Sequence, residues 1–248
     1  MSSMGKLKIT VSIDESIVHI VDSKVDNKTL HSRSEAIEHF LRKGLTESII
    51  DKAIIMIRAD QHESILKNKF LKKQLEFLKK SNIRRIIITT QSSQYVSKIK
   101  KQIEDEGFEL RIYENKSQNN SQAILAVKNE FTQDCLVISG DVLNDFNVQE
   151  MIKKHFELGR LVTMGIISKA QTETEGSVIV DGDYIIDFFE KSKKHVTNIV
   201  NAGIYVMKPE ALTLLEGKQN IEYELFPKLA KLKQLIGYFI YGSYEHLR

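Results

Sequence analysis

Near the start of the sequence, apolar and polar residues alternate strictly over eight positions. In KLKITVSI, residues 6–13, every second residue from Leu7 to Ile13 is apolar, and the residues between them are polar. A period of two predicts a strand with one buried face and one polar face.

Two helical patterns follow this strand. Asp14 is a suitable N-cap for the first helix, in DESIVHIVDSKV, where apolar residues recur at helical spacing. Ser32 and Glu35 form a Ser-x-x-Glu capping box for the second helix, and Gly44 is positioned to end it. One strand and two helices within about 40 residues cannot bury a core alone, so we expect two copies to pair.

This order of elements, carried by TVSIDESI and SRSEAIEHFL, resembles the ribbon-helix-helix repressors, the family of the Arc and methionine repressors. The resemblance implies an intertwined β-α-α dimer over residues 1–48. Its two-stranded ribbon would enter the major groove of double-stranded DNA. The implied base and phosphate contacts fall on Lys6, Lys8, Thr10, Ser12, Ser32, Arg33 and Ser34. A dimerisation module that does not bind DNA is the alternative.

From Lys52 onward, apolar runs of strand length alternate with helical patterns. The runs are AIIMI, RRIIITT, ELRIYE and CLVISGD, and the helical patterns lie near residues 65–80, 93–106, 120–130 and 147–158. This alternation predicts a doubly wound, mostly parallel α/β domain, Rossmann-like, over residues 51–248. After residue 160 the pattern becomes richer in strands, and Asp181-Gly182 indicates a hairpin turn.

Several motifs in this second half are similar to those of the sugar-phosphate nucleotidyltransferases, which make nucleotide sugars from a sugar 1-phosphate and an NTP. The motifs are LVISGDVLNDFNVQEMIKKH, DFFEKS, NAGIYVMKPEAL and ELFPKLAK. The resemblance implies that Asp141 matches one of two aspartates that hold Mg²⁺ in the family. It also implies contacts with the sugar or its phosphate for Gly176, Glu190, Lys191 and Asn201.

Two departures from the family pattern concern the nucleotide half of the site. The loop after the first strand, RADQHES at residues 58–64, lacks the family's glycines, although Arg58 and His62 could contact a phosphate. His246 stands where the resemblance expects the second metal-binding aspartate, and a neutral imidazole is a poor ligand for Mg²⁺. We therefore expect no catalytic residue, no metal and no cofactor. The domain is interpreted as a pseudoenzyme with a ligand pocket at Asp141, Gly176, Glu190, Lys191 and Asn201.

The two halves together predict a dimeric, sequence-specific DNA-binding transcription regulator. Its second domain would sense a nucleotide sugar or sugar phosphate, or would drive oligomerisation up to a tetramer. One alternative is an architectural DNA-binding protein, in which the Lys-rich helix over residues 65–80 supplies nonspecific phosphate contacts. The other is an active Mg²⁺-dependent nucleotidyltransferase.

Composition changes this picture little. A net charge of +3 does not identify a partner, and a hydrophobic content of 42% suffices for a sizeable core. The single cysteine, Cys135, lies in an apolar run and predicts a buried thiol without an internal disulfide. No apolar run is long enough to span a membrane and no signal peptide opens the chain, so we expect no membrane partner and a cytoplasmic protein.

Overall fold

The structure is a computed structural model that describes residues 8–26, 30–47, 50–67, 69–91, 95–103, 107–115, 120–170, 175–191, 197–215 and 220–247. The chain separates into two compact units, Met1–Ile49 and Ile50–Arg248. Within the described residues, no helix combines the length and apolar character needed to cross a membrane.

The first unit contains the two helices that its pattern predicts, α1 (Glu15–Asp22) and α2 (Arg33–Glu47). The Asp14 carboxylate caps α1 by accepting a hydrogen bond from the Ser16 backbone N–H at 2.9 Å. The Ser32 hydroxyl likewise accepts from the Glu35 N–H at 3.2 Å. Gly44 was expected to end α2, but the helix continues to Glu47 because Gly44 does not adopt the left-handed conformation of a helix end.

The strand predicted over residues 6–13 is not formed. Residues 8–14 have no regular secondary structure, and Lys6 and Leu7 lie outside the described residues. A strand needs a neighbour to pair its backbone groups, and the described part of this unit has helices only. The ribbon-helix-helix fold is therefore not shown.

The second unit is built on a mixed sheet with helices on both faces. Its first six strands are β1 (Lys52–Ile57), β2 (Arg85–Thr90), β3 (Glu109–Glu114), β4 (Cys135–Ser139), β5 (Val142–Asp145) and β6 (Val162–Ser168). The later strands are β7 (Ser177–Asp181), β8 (Tyr184–Phe189), β9 (Ile199–Met207), β10 (Leu235–Phe239) and β11 (Ser243–His246).

Six α-helices of this unit lie within the described residues. They are α3 (His62–Lys67), α4 (Phe70–Lys80), α5 (Val96–Ile103), α6 (Asn120–Leu125), α7 (Val148–Leu158) and α8 (Phe226–Lys231). Short 3-10 turns span Ala59–Gln61, Lys128–Glu130 and Pro209–Leu214, and a π-helical turn spans Ile221–Leu225. The single helix expected over residues 65–80 is instead α3 and α4, because Lys69 adopts a left-handed conformation with φ of 53°.

The nine-stranded sheet has the order β3-β2-β1-β4-β9-β6-β10-β8-β7, and β5 pairs with β11 in a separate two-stranded sheet. Strands β3, β2, β1 and β4 are parallel, as predicted. The sheet as a whole is mixed rather than mostly parallel, because β9 runs antiparallel between β4 and β6. Strands β7 and β8 form the predicted hairpin, with Gly182 at φ of 58° in the turn.

Strand β1 shows why the sequence builds this layered arrangement. All six of its residues are buried, as expected for a parallel strand covered on both faces. Ile55 packs into the core beneath α4, with Phe70 and Leu75. Ile54 points into the opposite core, which includes Phe226 of α8.

The carboxyl ends of β1 and β4 lie side by side and define one edge of the sheet. The Gly140 N–H after β4 donates a 2.7 Å hydrogen bond to the Met56 carbonyl of β1. A Cβ at position 140 would lie 2.7 Å from that same carbonyl oxygen, so only glycine permits this approach. The contact carries Asp141 to the edge of the sheet, beside the turn that follows β1.

Candidate active site at the carboxyl edge of the sheet

A polar cavity of about 130 Å³ opens at this edge of the second unit. Its walls come from the ends of β1 and β4, from β9 and β11, and from the segments that flank β7 and β8. Its lining residues include Arg58, Gln61, Asp141, Glu175, Gly176, Glu190, Lys191, Asn201, Gly203, Tyr205, Glu222, Tyr244 and His246.

Asp141 lies at the centre of one wall and is surrounded by nitrogen donors. The Gln61 side-chain amide donates a short hydrogen bond to Asp141 Oδ2. His246 Nε2 lies 3.3 Å from the same oxygen, and Arg58 Nη2 lies 4.0 Å from it. The Leu247 N–H donates to the Asp141 carbonyl at 2.8 Å, which ties the end of β11 to this wall.

His246 lies between two carboxylates. Its Nε2 faces Asp141, and its Nδ1 lies 3.7 Å from Glu175 Oε1. Glu175 is also paired with the Lys169 ammonium. Lys169 Nζ in turn lies 5.2 Å from the centre of the Tyr244 ring, within the range of a cation–π interaction.

Glu190 and Lys191 form another part of the cavity wall. Glu190 is nearly buried, whereas Lys191 is about half exposed and lies 3.9 Å away from it. Burial, and secondly the nearby Glu222 carboxylate, raises the pKa of Glu190 to about 7. Near neutral pH this carboxyl group can therefore donate or accept a hydrogen bond, a property suited to a sugar hydroxyl.

Gly176 leaves room for the Glu190 side chain. A Cβ at position 176 would lie 2.8 Å from Glu190 Oε2 and 2.4 Å from Phe188 Cζ. Phe188 is buried and cannot move aside cheaply. The Gly176 carbonyl also accepts a 2.8 Å hydrogen bond from the Asn201 N–H.

Asn201 is held in the cavity wall through its whole side chain. Its amide N–H group donates to the Tyr205 hydroxyl at 2.7 Å, and its amide oxygen accepts from the Gly203 N–H at 2.9 Å. Complete burial raises the pKa of Tyr205 well above its usual value, so the phenol stays neutral. The side chain of Asn201 is therefore fixed in the cavity wall.

The chemical character of the cavity suits a ligand that combines hydroxyl groups with a phosphate. Glu190, Asn201 and Glu222 offer hydrogen-bonding groups of the kind that a polyol requires. Arg58 and Lys191, each roughly half exposed, offer cationic N–H donors for phosphate oxygens.

These residues do not fit the magnesium ion that the family resemblance implies. Mg²⁺ is held by oxygen ligands, commonly carboxylates, but Asp141 Oδ2 already faces Gln61, His246 and Arg58. The imidazole separates Asp141 from Glu175. Across the part of the chain that the structure describes, no cluster of three or more His, Cys, Asp or Glu side chains could hold a metal.

The structure brings the five predicted ligand-binding residues into this one cavity: Asp141, Gly176, Glu190, Lys191 and Asn201. Of the two candidates for phosphate contact, Arg58 also lines the cavity. His62 does not line it, because its ring is buried, stacks on Tyr95 and is hydrogen-bonded to the Thr90 hydroxyl.

The residues predicted to contact DNA lie in the first unit. Lys8, Thr10, Ser12, Ser32 and Ser34 are exposed, and Lys6 lies outside the described residues. Arg33 is engaged by the Asp22 carboxylate through two hydrogen bonds of 2.6 Å.

Among the lining residues named above, sequence reasoning missed six: Gln61, Glu175, Gly203, Tyr205, Glu222 and Tyr244. Glu175 directly precedes Gly176, and Gln61 lies in the loop where the resemblance expected glycines. Their proximity in sequence to these site segments could therefore have identified both residues. Glu222 and Tyr244 are brought to the site by tertiary packing, and no local pattern marks them.

The fold and the cavity place this unit among α/β proteins whose ligand site lies beyond the carboxyl ends of the strands. Residues 56–240 match the family model described as Nucleotidyl transferase, and the chain belongs to that family.

Two curated relatives and one solved structure illustrate the similarity. The chain is 28% identical over 178 residues to the mannose-1-phosphate guanylyltransferase catalytic subunit beta of Danio rerio, a match that covers 68% of this chain and 49% of the relative. It is 34% identical over 101 residues to the subunit of the same name in Drosophila pseudoobscura pseudoobscura, a match that covers 40% of this chain and 27% of the relative. The chain thus spans about half the length, or less, of these relatives.

The solved structure is the inositol-1-phosphate CTP transferase from T. maritima. It superimposes with a TM-score of 0.65 at 16% identity, covering 80% of this chain and 89% of that one. At this identity the similarity establishes the fold alone.

These comparisons correct the functional prediction. The relatives carry the names of guanylyltransferases, which points to an enzyme. The predictions of a DNA-binding transcription regulator and of a pseudoenzyme are therefore wrong. The missing loop glycines and the missing second aspartate do not outweigh the similarity that extends across residues 56–240.

Proposed function

We propose that this protein is a sugar-phosphate nucleotidyltransferase whose cavity binds the sugar 1-phosphate. The observation that supports this proposal is the convergence of Asp141, Gly176, Glu190, Lys191 and Asn201 in one polar cavity at the carboxyl edge of the sheet. The names of the curated relatives suggest mannose 1-phosphate and GTP as the first substrates to test.

In the proposed reaction, a phosphate oxygen of the sugar 1-phosphate attacks the α-phosphorus of the NTP. One phosphorus–oxygen bond forms, the bond between the α- and β-phosphates breaks, and pyrophosphate leaves. The contribution of the protein is to align the two phosphates and to stabilise the charge that develops on them. Glu190, Asn201 and Glu222 would orient the sugar, and Arg58 and Lys191 would contact phosphate oxygens.

The test measures pyrophosphate released by the full chain from each of the four NTPs, supplied as magnesium salts, with mannose 1-phosphate or glucose 1-phosphate. We expect release with at least one pair, and a fall of about tenfold or more in Arg58→Gln, which removes a charge-assisted contact. Arg84→Gln is the matched control, since Arg84 is exposed outside the cavity. Absence of release with every pair would contradict the proposal.

We also propose that the first unit pairs with the same unit of a second copy, in the manner of a ribbon-helix-helix dimer. Its support is a set of apolar side chains that the single chain leaves exposed: Ile9, Val11, Ile13, Ile17 and Ile20. Helix α1 buries none of its residues. A second copy of this chain, with the same alternating segment, would pair the backbone of residues 6–13 and cover these side chains.

Light scattering after size exclusion tests this pairing. Val11→Lys places a charge on the apolar face of the predicted strand and should convert a dimer into a monomer. Thr10→Lys places the same charge on the polar face and should leave the dimer intact. A monomeric wild-type chain, or equal effects of the two substitutions, would contradict the pairing.

A further inference from the structure

The position where the family resemblance expects a metal is filled by protein side chains. His246 lies with one ring nitrogen toward Asp141 and the other toward Glu175, at 3.3 and 3.7 Å. Gln61 occupies another approach to Asp141 Oδ2. A cation could reach Asp141 Oδ2 only if these donors moved away, and Glu175 lies on the other side of the imidazole ring.

The same side chains fill this position with polar nitrogen groups, and Arg58 beside them adds positive charge. Both ring nitrogens of His246 face carboxylate oxygens. Arg58 is always charged and carries five N–H donors in a planar fork. Arg58 uses two of its nitrogens on Asp60, at 3.2 and 3.3 Å, and about two fifths of its side chain is exposed.

We propose that this site holds its phosphorylated ligand without a divalent cation bound to the protein, because Gln61 and His246 fill the position beside Asp141 and Arg58 supplies positive charge there. The inference rests on the proposed function, because it takes the ligand to be a sugar phosphate. The proposal excludes only a metal that is held by the protein's own side chains. A metal that an NTP carries bound to its phosphates is compatible with the proposal.

The first experiment measures Mn²⁺ binding to the ligand-free full chain by electron paramagnetic resonance. Wild type and Asp141→Asn should bind equally little Mn²⁺. His246→Asp should gain one site, because it places a second carboxylate opposite Asp141, and His246→Asp with Asp141→Asn should lose that site again. His246 is partly exposed and does not belong to the buried core, so the substitution leaves that core unchanged.

Two outcomes of this experiment would overturn the proposal. A wild-type Mn²⁺ site that disappears in Asp141→Asn would show that Asp141 is a metal ligand after all. A His246→Asp protein that gains no site would show that the imidazole is not what closes this position to cations.

The second experiment measures the affinity for mannose 1-phosphate by calorimetry, with EDTA and then with Mg²⁺. We expect equal affinities in both buffers, a loss of about tenfold or more in Arg58→Gln, and no change in Arg84→Gln. Binding that appears only with Mg²⁺ would overturn the proposal. Absence of binding in both buffers would count against the proposed sugar-phosphate site, while the Mn²⁺ experiment would still decide the role of His246.

Discussion

The Asn201 amide donates a 2.7 Å hydrogen bond to the Tyr205 hydroxyl, although both residues belong to strand β9. In a regular strand, residues four apart are separated by about 13 Å, at about 3.3 Å per residue. The bond forms because β9 bulges between them. Met164 of β6 pairs with Tyr205 of β9, and Ile166 pairs with Asn201. These two pairs are two residues apart on β6 but four residues apart on β9, so β9 contains extra residues at this point.

Asn201 and Tyr205 should be coupled energetically. Asn201→Ala leaves the Gly203 N–H and the buried Tyr205 hydroxyl without their partner, so we expect a loss of about 1–3 kcal/mol in the free energy of unfolding. Asn201→Ala should cost less free energy of unfolding in a Tyr205→Phe background, because the hydroxyl that loses its partner is already absent. A double-mutant cycle by urea unfolding should therefore show a coupling of about 1 kcal/mol. Asn198→Ala, at an exposed position just before β9, is the control. Strictly additive effects would contradict this account of the bulge.

Gly203 is the residue that permits the bulge. Its φ is 66°, and a Cβ there would lie 2.8 Å from Val142 Cγ2. Gly203→Ala should therefore lower the free energy of unfolding by about 2 kcal/mol or more, from backbone strain and overpacking together. Gly159→Ala separates the two causes, since Gly159 has a similar φ of 62° with nothing within 4 Å of the added Cβ. Equal losses in the two variants, measured by urea unfolding, would mean that the contact with Val142 contributes nothing.

The parts of the fold that the sequence predicts are those set by local pattern. The continuous apolar run of β1, the Asp181-Gly182 turn and the Asp14 cap each follow from neighbouring residues, and each is found in the structure. The bulge in β9 is different, because NAGIYVM is apolar almost throughout and shows no break in period. The split at Lys69 is also hidden, since the amphipathic pattern continues through it.

The candidate site was predictable where the family motifs are contiguous and not where packing assembles it. Glu190 and Lys191 are adjacent in DFFEKS, and Asp141 ends CLVISGD, so motifs identified them. Glu222 and Tyr244 come from distant segments that only the folded sheet brings together. The functional prediction was wrong because it relied on the glycines that are missing from one loop. Their absence does not determine which residues line the cavity beside that loop.

Gly176 should be required for ligand binding more than for folding of the sheet. In Gly176→Ala the added methyl would meet Phe188 and the Glu190 carboxyl group. Phe188 is buried, so we expect the Glu190 side chain to be displaced and the affinity for mannose 1-phosphate to fall. The free energy of unfolding should decrease by about 1–3 kcal/mol.

Calorimetry and urea unfolding of the same samples test this expectation for Gly176. A Gly176→Val variant, which adds two further carbons at the same point, should lose more in both measurements. Wild-type affinity in Gly176→Ala would show that the Glu190 carboxyl group does not contact the ligand.

Glu190 should make the stability of the protein depend on pH between about 4.5 and 7. Burial raises its pKa from the ordinary value of 4.5 to about 7, with a second contribution from Glu222. Below pH 4.5 the group is protonated in both the folded and unfolded states and has no effect. As the pH rises toward 7 the unfolded state ionises first, so the free energy of unfolding falls, and above pH 7 the full penalty remains.

Replacing Glu190 with glutamine removes this ionisable group while it keeps the size of the side chain. Glu190→Gln should therefore match wild type at pH 4.5 and be more stable by about 1–3 kcal/mol at pH 8.5. Urea unfolding at both pH values measures the difference, and Glu210→Gln, at an exposed position, is the control. A constant difference between wild type and Glu190→Gln at the two pH values would mean that the Glu190 carboxyl group ionises at the same pH in the folded and unfolded chains. In that case the carboxylate would be solvated or paired in the cavity more fully than its burial indicates, and its proposed role as a donor to a sugar hydroxyl near neutral pH would fail with it.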